Sequence, residues 1–156
     1  MAKDRKLLLK EYELYIKSIE ENSSRRGRAL ELSITINTAL LAFDGIILQL
    51  ARDQMQTLLL SGISILGIVT SEIFRRLLKS YAQLSKAKFE VLNSIEKHLP
   101  AQPYTDEWSI LDKGKNSKKY TPLSKIEQCV LVIYIIFHII LITSIVFSYL
   151  QTARLS

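Results

Sequence analysis

The sequence predicts an all-α integral membrane protein: three transmembrane helices, with amphipathic cytoplasmic helices forming a helical cytoplasmic part. Three observations lead there. The 156 residues are 48% hydrophobic, but the apolar residues collect in three blocks separated by charged segments, the pattern of a membrane chain. The last block, Gln128 to Leu150, runs 23 residues without a permanent charge, and soluble proteins rarely hold a helix apolar all round for that length. Of the 21 Lys and Arg, eight lie in residues 1–31 and eleven in residues 75–126, with one in each of the other two connecting or terminal segments. Positive loops stay in the cytoplasm. The N-terminus and the long second loop are therefore expected inside, and the short connector and the C-terminal tail outside.

Residues 1–31 are expected to form a cytoplasmic amphipathic helix and a basic juxtamembrane turn. The start is not expected to be a signal peptide, since only Leu7, Leu8 and Leu9 are apolar in a row and no small-residue cleavage site follows. With Ala2 in place of glycine, N-myristoylation is not expected. Leu8, Tyr12, Tyr15 and Ile19 form one apolar stripe at helical spacing. Acidic residues nearly balance basic ones here, which favours packing on protein over lying on the membrane surface. Asn22, Ser23 and Ser24 are cap-forming residues and predict a break, with Gly27 weakening the helix further. Arg25, Arg26 and Arg28 then meet the headgroup layer.

Residues 32–74 are expected to form a transmembrane hairpin. In its first span Asn37 and Asp44 lie seven residues apart, on one face that also carries Ser33. Thr38, Ala42 and Gly45 make a second face, of small side chains, for helix packing. A carboxylate inside a bilayer costs about 2.5 to 3.5 kcal/mol on insertion scales and is a functional candidate by default. The alternative is a structural residue bonded to a neighbouring helix. The connector, Arg52 to Gln56, suits a tight turn. The second span, Thr57 to Phe74, carries Gly67 and Ser71 four apart, a small-xxx-small contact, besides Ser61 and Ser64. Glu72 ends it, next to Arg75 and Arg76.

Residues 75–126 are the expected cytoplasmic helix and loop. Leu77, Tyr81, Leu84, Val91, Leu92 and Ile95 share one face, and no glycine or proline separates this pattern from the span before it. One helix from Thr57 to His98 is expected, ended by Pro100 and Pro103. Tyr81, Leu84, Val91 and Ile95 are the candidate oligomer interface. Trp108 is expected to pack on the cytoplasmic helices. Residues 127–150 form the third span, with Tyr134 and His138, and residues 151–156 a short external tail. Counting 1.5 Å per residue from the cytoplasmic ends places Asp44, His138, Ser61 and Ser64 in one layer, roughly 15 to 20 Å deep. A carboxylate there needs a partner, and His138 is the one cationic candidate at that depth. Tyr134, one turn away, is a candidate third member. Three spans look too few to shield Asn37 and Asp44, so subunits are expected to associate around them.

Catalytic and metal chemistry find no support. Gly114-Lys115-Asn116-Ser117 looks like the end of a phosphate-binding loop, but Ser109 stands where the motif needs its first glycine and Asn116 where it needs Ser or Thr. His98 and His138 are far apart on different segments, which leaves no metal-ligand spacing. No serine or cysteine nucleophile has a histidine at helical spacing. Cys129 is the single cysteine and can form no intrachain disulfide. No cofactor is expected. The basic loop is read as a solvated face, and no nucleic acid is expected.

The runs SITINTALLA, RRLLKSYAQLSKAKFEVLNSIEKHLP, YTDEW and KKYTPLSKIE, in that order, resemble the RipA family of octameric bacterial membrane proteins. The resemblance extends from about Tyr12 to about Tyr134. It implies a multi-pass protein of the bacterial cytoplasmic (inner) membrane that forms large homo-oligomers, linked in some intracellular pathogens to growth inside host cells. It brings no catalytic residues. The architecture is also similar to SLATT-type membrane effectors, which are proposed to form pores. Three functions are compatible with these features: an assembly forming a gated pore or polar cavity, a scaffold recruiting a cytoplasmic partner, and a defence effector opened by a cytoplasmic signal at the basic loop.

Overall fold

A computed structural model of the protein describes residues 2–49 and 54–155. Among them the chain forms four α-helices: α1 (Ala2–Ile47), α2 (Gln54–Glu96), α3 (Pro103–Ile110) and α4 (Leu123–Leu155). The three prolines lie at 100, 103 and 122, between or at the starts of helices. No helix interior is therefore deprived of a backbone donor. Three helices are long and apolar enough to cross a membrane. Of the expected connector, Arg52 and Asp53 lie outside the described residues, and Gln54 to Gln56 already belong to α2. Of the expected external tail, residues 151–155 continue α4 and Ser156 is outside the described residues.

The helix break expected at Asn22–Ser24 does not occur, and α1 runs through it. Asn22 is buried, and its amide donates to the Tyr81 carbonyl at 3.4 Å and the Ser85 hydroxyl at 2.8 Å. Its side chain is thus engaged on α2 and does not compete for its own backbone. Gly27 stands in open space, where it costs the helix about 1 kcal/mol at most. The expected passage of α2 from its apolar to its charged half is continuous. Pro103, expected only to end that helix, in fact opens α3, where a proline's missing N–H is harmless.

The chain divides into two compact units, residues 1–28 with 78–126, and residues 29–77 with 127–156. In the first, Leu78 and Leu92 are fully buried, and Tyr12 packs edge-on to Tyr104 with ring centroids 6.5 Å apart. Lys88 reaches the Ser18 hydroxyl and lies over the Tyr15 ring, 5.5 Å from its centroid. The apolar face expected on α2 is therefore split. Leu92 turns into the unit's own core, whereas Leu84 and Val91 are 48% and 42% exposed, because a one-residue step turns a helix by 100°. Tyr81 and Ile95 are half-buried. Trp108 meets Tyr120 edge-on at 6.0 Å, and Gly114, whose φ of +70° turns the loop, leaves room for the indole.

The second unit has its polarity inverted. Its large buried apolar side chains are Leu60 and Leu131, while Ser33, Asn37, Asp44, Gln56, Ser64, Ser71, Glu127 and His138 are also buried. Phe43, Ile46, Leu58, Ile65, Ile136 and Phe147 are more than half or about half exposed. A water-soluble bundle does the opposite. An apolar exterior around a polar interior suits hydrocarbon as the solvent.

Candidate functional site: the polar interior of the membrane unit

Periodicity places the site. On α1, Ser33, Asn37 and Asp44 recur at four and seven residues, and on α2, Ser64 and Ser71 recur at seven. Each set forms one stripe of its helix. The two stripes meet at two levels. At the first level the Ser71 hydroxyl donates to the Asn37 amide oxygen at 2.8 Å, and the Asn37 amide nitrogen donates to the Ser33 carbonyl at 2.9 Å. At the second level the Ser64 hydroxyl lies 3.5 Å from Asp44 Oδ2, and His138 Nδ1 from α4 lies 3.9 Å from the same oxygen. Asp44 is 1% exposed and His138 is fully buried.

Gly67 is the structural condition for that second level. It lies between Ser64 and Ser71 on α2, and a Cβ there would overlap the His138 imidazole ring. Only a glycine lets the ring lie against the helix backbone at this point. Bonding at the level is incomplete. Asp44 Oδ1 and both ring nitrogens of His138 make no hydrogen bond among the described residues, and neither does the Ser33 hydroxyl at the first level.

Other candidates fall elsewhere. The Tyr134 hydroxyl pairs with the Thr38 hydroxyl at 3.0 Å and does not join His138. Ser61 is half-buried, outside this cluster. Of the expected small face, Thr38 meets α4 through Tyr134, whereas Ala42 and Gly45 show no such contact among the described residues. All three are exposed, and a Cβ at Gly45 would meet nothing within 4 Å. Ser71 does pack, through Asn37. The expectation that one subunit cannot shield Asn37 and Asp44 is overturned, since one chain buries both. Three spans suffice because Gly67 and the serines keep the helices close.

Leu60 lies one turn of α2 beyond Ser64, and beyond it opens a recess of about 490 Å³ whose polar lining includes Gln54, Gln56, Ser144 and Ser148. Gln56 donates to the Ile47 carbonyl at 2.8 Å, at the end of α1. Toward the other end, Leu131 is fully buried two turns of α4 before His138. Glu127, one turn further, is buried as well. At the end of the second span Glu72 pairs with Arg75 at 2.6 Å and Arg76 at 2.9 Å.

Sequence reasoning passed over Glu96 in the other unit. Its carboxylate accepts the Tyr12 hydroxyl at 2.8 Å, the Tyr104 N–H at 3.0 Å, and the Thr105 N–H and hydroxyl at 3.0 and 2.7 Å. The two N–H groups belong to the first turn of α3, which attracts an anion. Burial alone would raise the Glu96 carboxyl, but the Thr105, Tyr104 and Tyr12 donors outweigh it and hold it below the ordinary carboxylate range. Burial, and then the Glu96 carboxylate, push the Tyr12 hydroxyl further above its ordinary value, so it remains a donor. An acid just upstream of Pro103-Tyr104-Thr105 was the available signal, hidden because helix capping is usually sought within three residues.

Gln56 and Glu127 were passed over too, since each sits at the edge of an apolar block where polar residues are expected in the headgroup layer. No curated protein and no solved structure matches the chain significantly. A family model does, that of the octameric membrane protein family (8xMP), over residues 9–147. That match takes in the three apolar helices, the polar interior and the Glu96 cluster, and the chain belongs to the octameric membrane protein family.

Proposed function

We propose that the protein is a non-enzymatic subunit of a large homo-oligomer, an octamer by family, in the bacterial inner membrane. Its N-terminus is cytoplasmic and its C-terminus external, following the lysine and arginine count. Each protomer encloses a polar compartment at mid-membrane, closed at one side by Leu60 and at the other by Leu131, which opens to form a gated passage. The observation that carries this reading is the buried cluster of Asp44, His138 and Ser64 with bonding capacity left unfilled. Buried polar groups otherwise find partners, and unpartnered ones call for a water, an ion or a second conformation. Apolar constrictions such as Leu60 gate polar paths by excluding water.

Ion flux from vesicles holding the purified protein tests it. Leu60→Ser should raise the leak about tenfold or more over the parent protein, since removing roughly 2 kcal/mol of apolar closure shifts a closed–open balance by that order. A scaffold whose polar core only locks the bundle is the second reading, favoured by the Ser71 and Ser33 bonds that Asn37 makes. It predicts vesicles as tight with Leu60→Ser as without.

Assembly should use the part of α2 that its own unit leaves open. Leu84 and Val91 are seven residues apart and exposed, and a second copy is the partner we propose for them. Leu84→Glu with Val91→Glu should reduce the particle to smaller species by native mass spectrometry. A full-size particle would exclude this face from the interface.

A further inference from the structure

We infer that Asp44 and His138 form a proton-binding site that holds one exchangeable proton between them. The inference does not depend on whether a passage opens. Both side chains are shut off from the protein surface, with Asp44 1% exposed and His138 at zero. His138 Nδ1 and Asp44 Oδ2 are 3.9 Å apart, close enough for strong coupling in apolar surroundings and too far for a direct hydrogen bond. Among the described residues, no other charged side chain bonds to the pair. Ser64 and Gly67 are what α2 turns toward the pair, neither is titratable, and Tyr134 on α4 is engaged by Thr38.

Charge balance then sets the occupancy. With one proton the pair carries no net charge, whether as carboxylic acid beside imidazole or as carboxylate beside imidazolium. With none it is a buried anion, and with two a buried cation. Either is costly away from water. The pair titrates as a unit, with two macroscopic steps on either side of a neutral plateau. The remaining acceptor and donor positions, Asp44 Oδ1 and His138 Nε2, are unfilled. The Nε2 edge of the ring lies against α2 at Gly67, so the proton is exchanged on the side where Asp44 faces Nδ1. Gly67 holds the imidazole in place, and the Ser64 hydroxyl supports the carboxyl.

The two partners removed singly should fail in opposite directions. In His138→Gln the lone carboxyl can stay neutral only by keeping its own proton, so thermal stability of the detergent-solubilised particle should fall as pH rises from 5 to 8. In Asp44→Asn the lone imidazole must stay unprotonated, so stability should fall as pH drops across the same range. The parent protein should vary less than either, and Asp44→Asn with His138→Gln should be nearly flat. Equal, pH-independent losses in both single variants would overturn the site and leave a purely steric role.

A second readout survives poor folding of His138→Gln. With His98→Gln in place, His138 is the one remaining imidazole, and its ring ¹⁵N resonances can be followed in lipid bilayers. Asp44→Asn should move the His138 titration by about one pH unit or more, the scale of a close charge partner. Identical titrations with and without the carboxyl would contradict a shared proton.

Discussion

Gly67→Ala should disrupt the membrane unit, lowering the midpoint of thermal unfolding and dispersing the particle. The added methyl would fall on the imidazole of His138. That ring is fully buried, and Asp44 lies on its Nδ1 side, so it cannot swing aside without breaking the polar layer. The helices must part instead. Overpacking a close-packed interior costs about 1 to 3 kcal/mol, and more where a ring is trapped. Gly45→Ala and Gly62→Ala provide the control, because a Cβ at either position meets nothing within 4 Å. Both should be neutral or slightly stabilising, since alanine is the better helix former by about 1 kcal/mol. His138→Ala should rescue Gly67→Ala by removing the obstructing ring. Equal stability for the Gly67 and Gly45 variants would mean that α2 and α4 do not approach here.

Glu96→Ala should loosen the other unit by about 3 kcal/mol or more. It removes a carboxylate that accepts from Tyr12, Tyr104 and Thr105, and hydrogen bonds to a charged group each contribute about 1.5 to 3 kcal/mol. Acid should act in the same way. The Glu96 carboxyl is held below its ordinary value in the folded protein. Its contribution is therefore complete above the unfolded value, about 4.3, and is lost as pH falls through the depressed folded one. Amide exchange at Tyr104 and Thr105 measures this directly. Both should be protected at neutral pH and exposed in Glu96→Ala, and protection in the parent protein should be lost only in acid below the ordinary carboxylate range. Unchanged protection in the variant would show that α3 is held by its ring contacts with Tyr12 and Phe89 alone.

The helices were largely legible because their signals are long and redundant. Apolar blocks of about 20 residues and a proline-free run between positions 54 and 96 leave few alternatives. The shared face of Asn37 and Asp44 follows from a seven-residue spacing alone, and the common depth of Asp44, Ser64 and His138 from counting rises along three helices. Rotation about each helix axis was harder to read. Leu84 and Leu92 have similar apolarity, and only packing against the rest of the unit decides which one turns inward. The same holds for Ala42 and Gly45, whose small side chains suit close packing but are exposed on the protomer. Local sequence misled at Asn22, where a cap-forming residue was claimed by α2. Glu96 was missed because its partners come from residue 12 and from a helix that starts at Pro103, distances at which no short motif reaches.

The polar layer should lie inside each protomer and not between protomers. A single-particle reconstruction of the assembly in lipid, at a resolution that separates helices and large side chains, measures this most directly. Asn37, Asp44 and His138 should be enclosed among the three spans of one chain, with Ala42 and Gly45 facing lipid or a neighbouring subunit. Asp44 and Asn37 lining a central or intersubunit opening, with His138 withdrawn from Gly67, would contradict it.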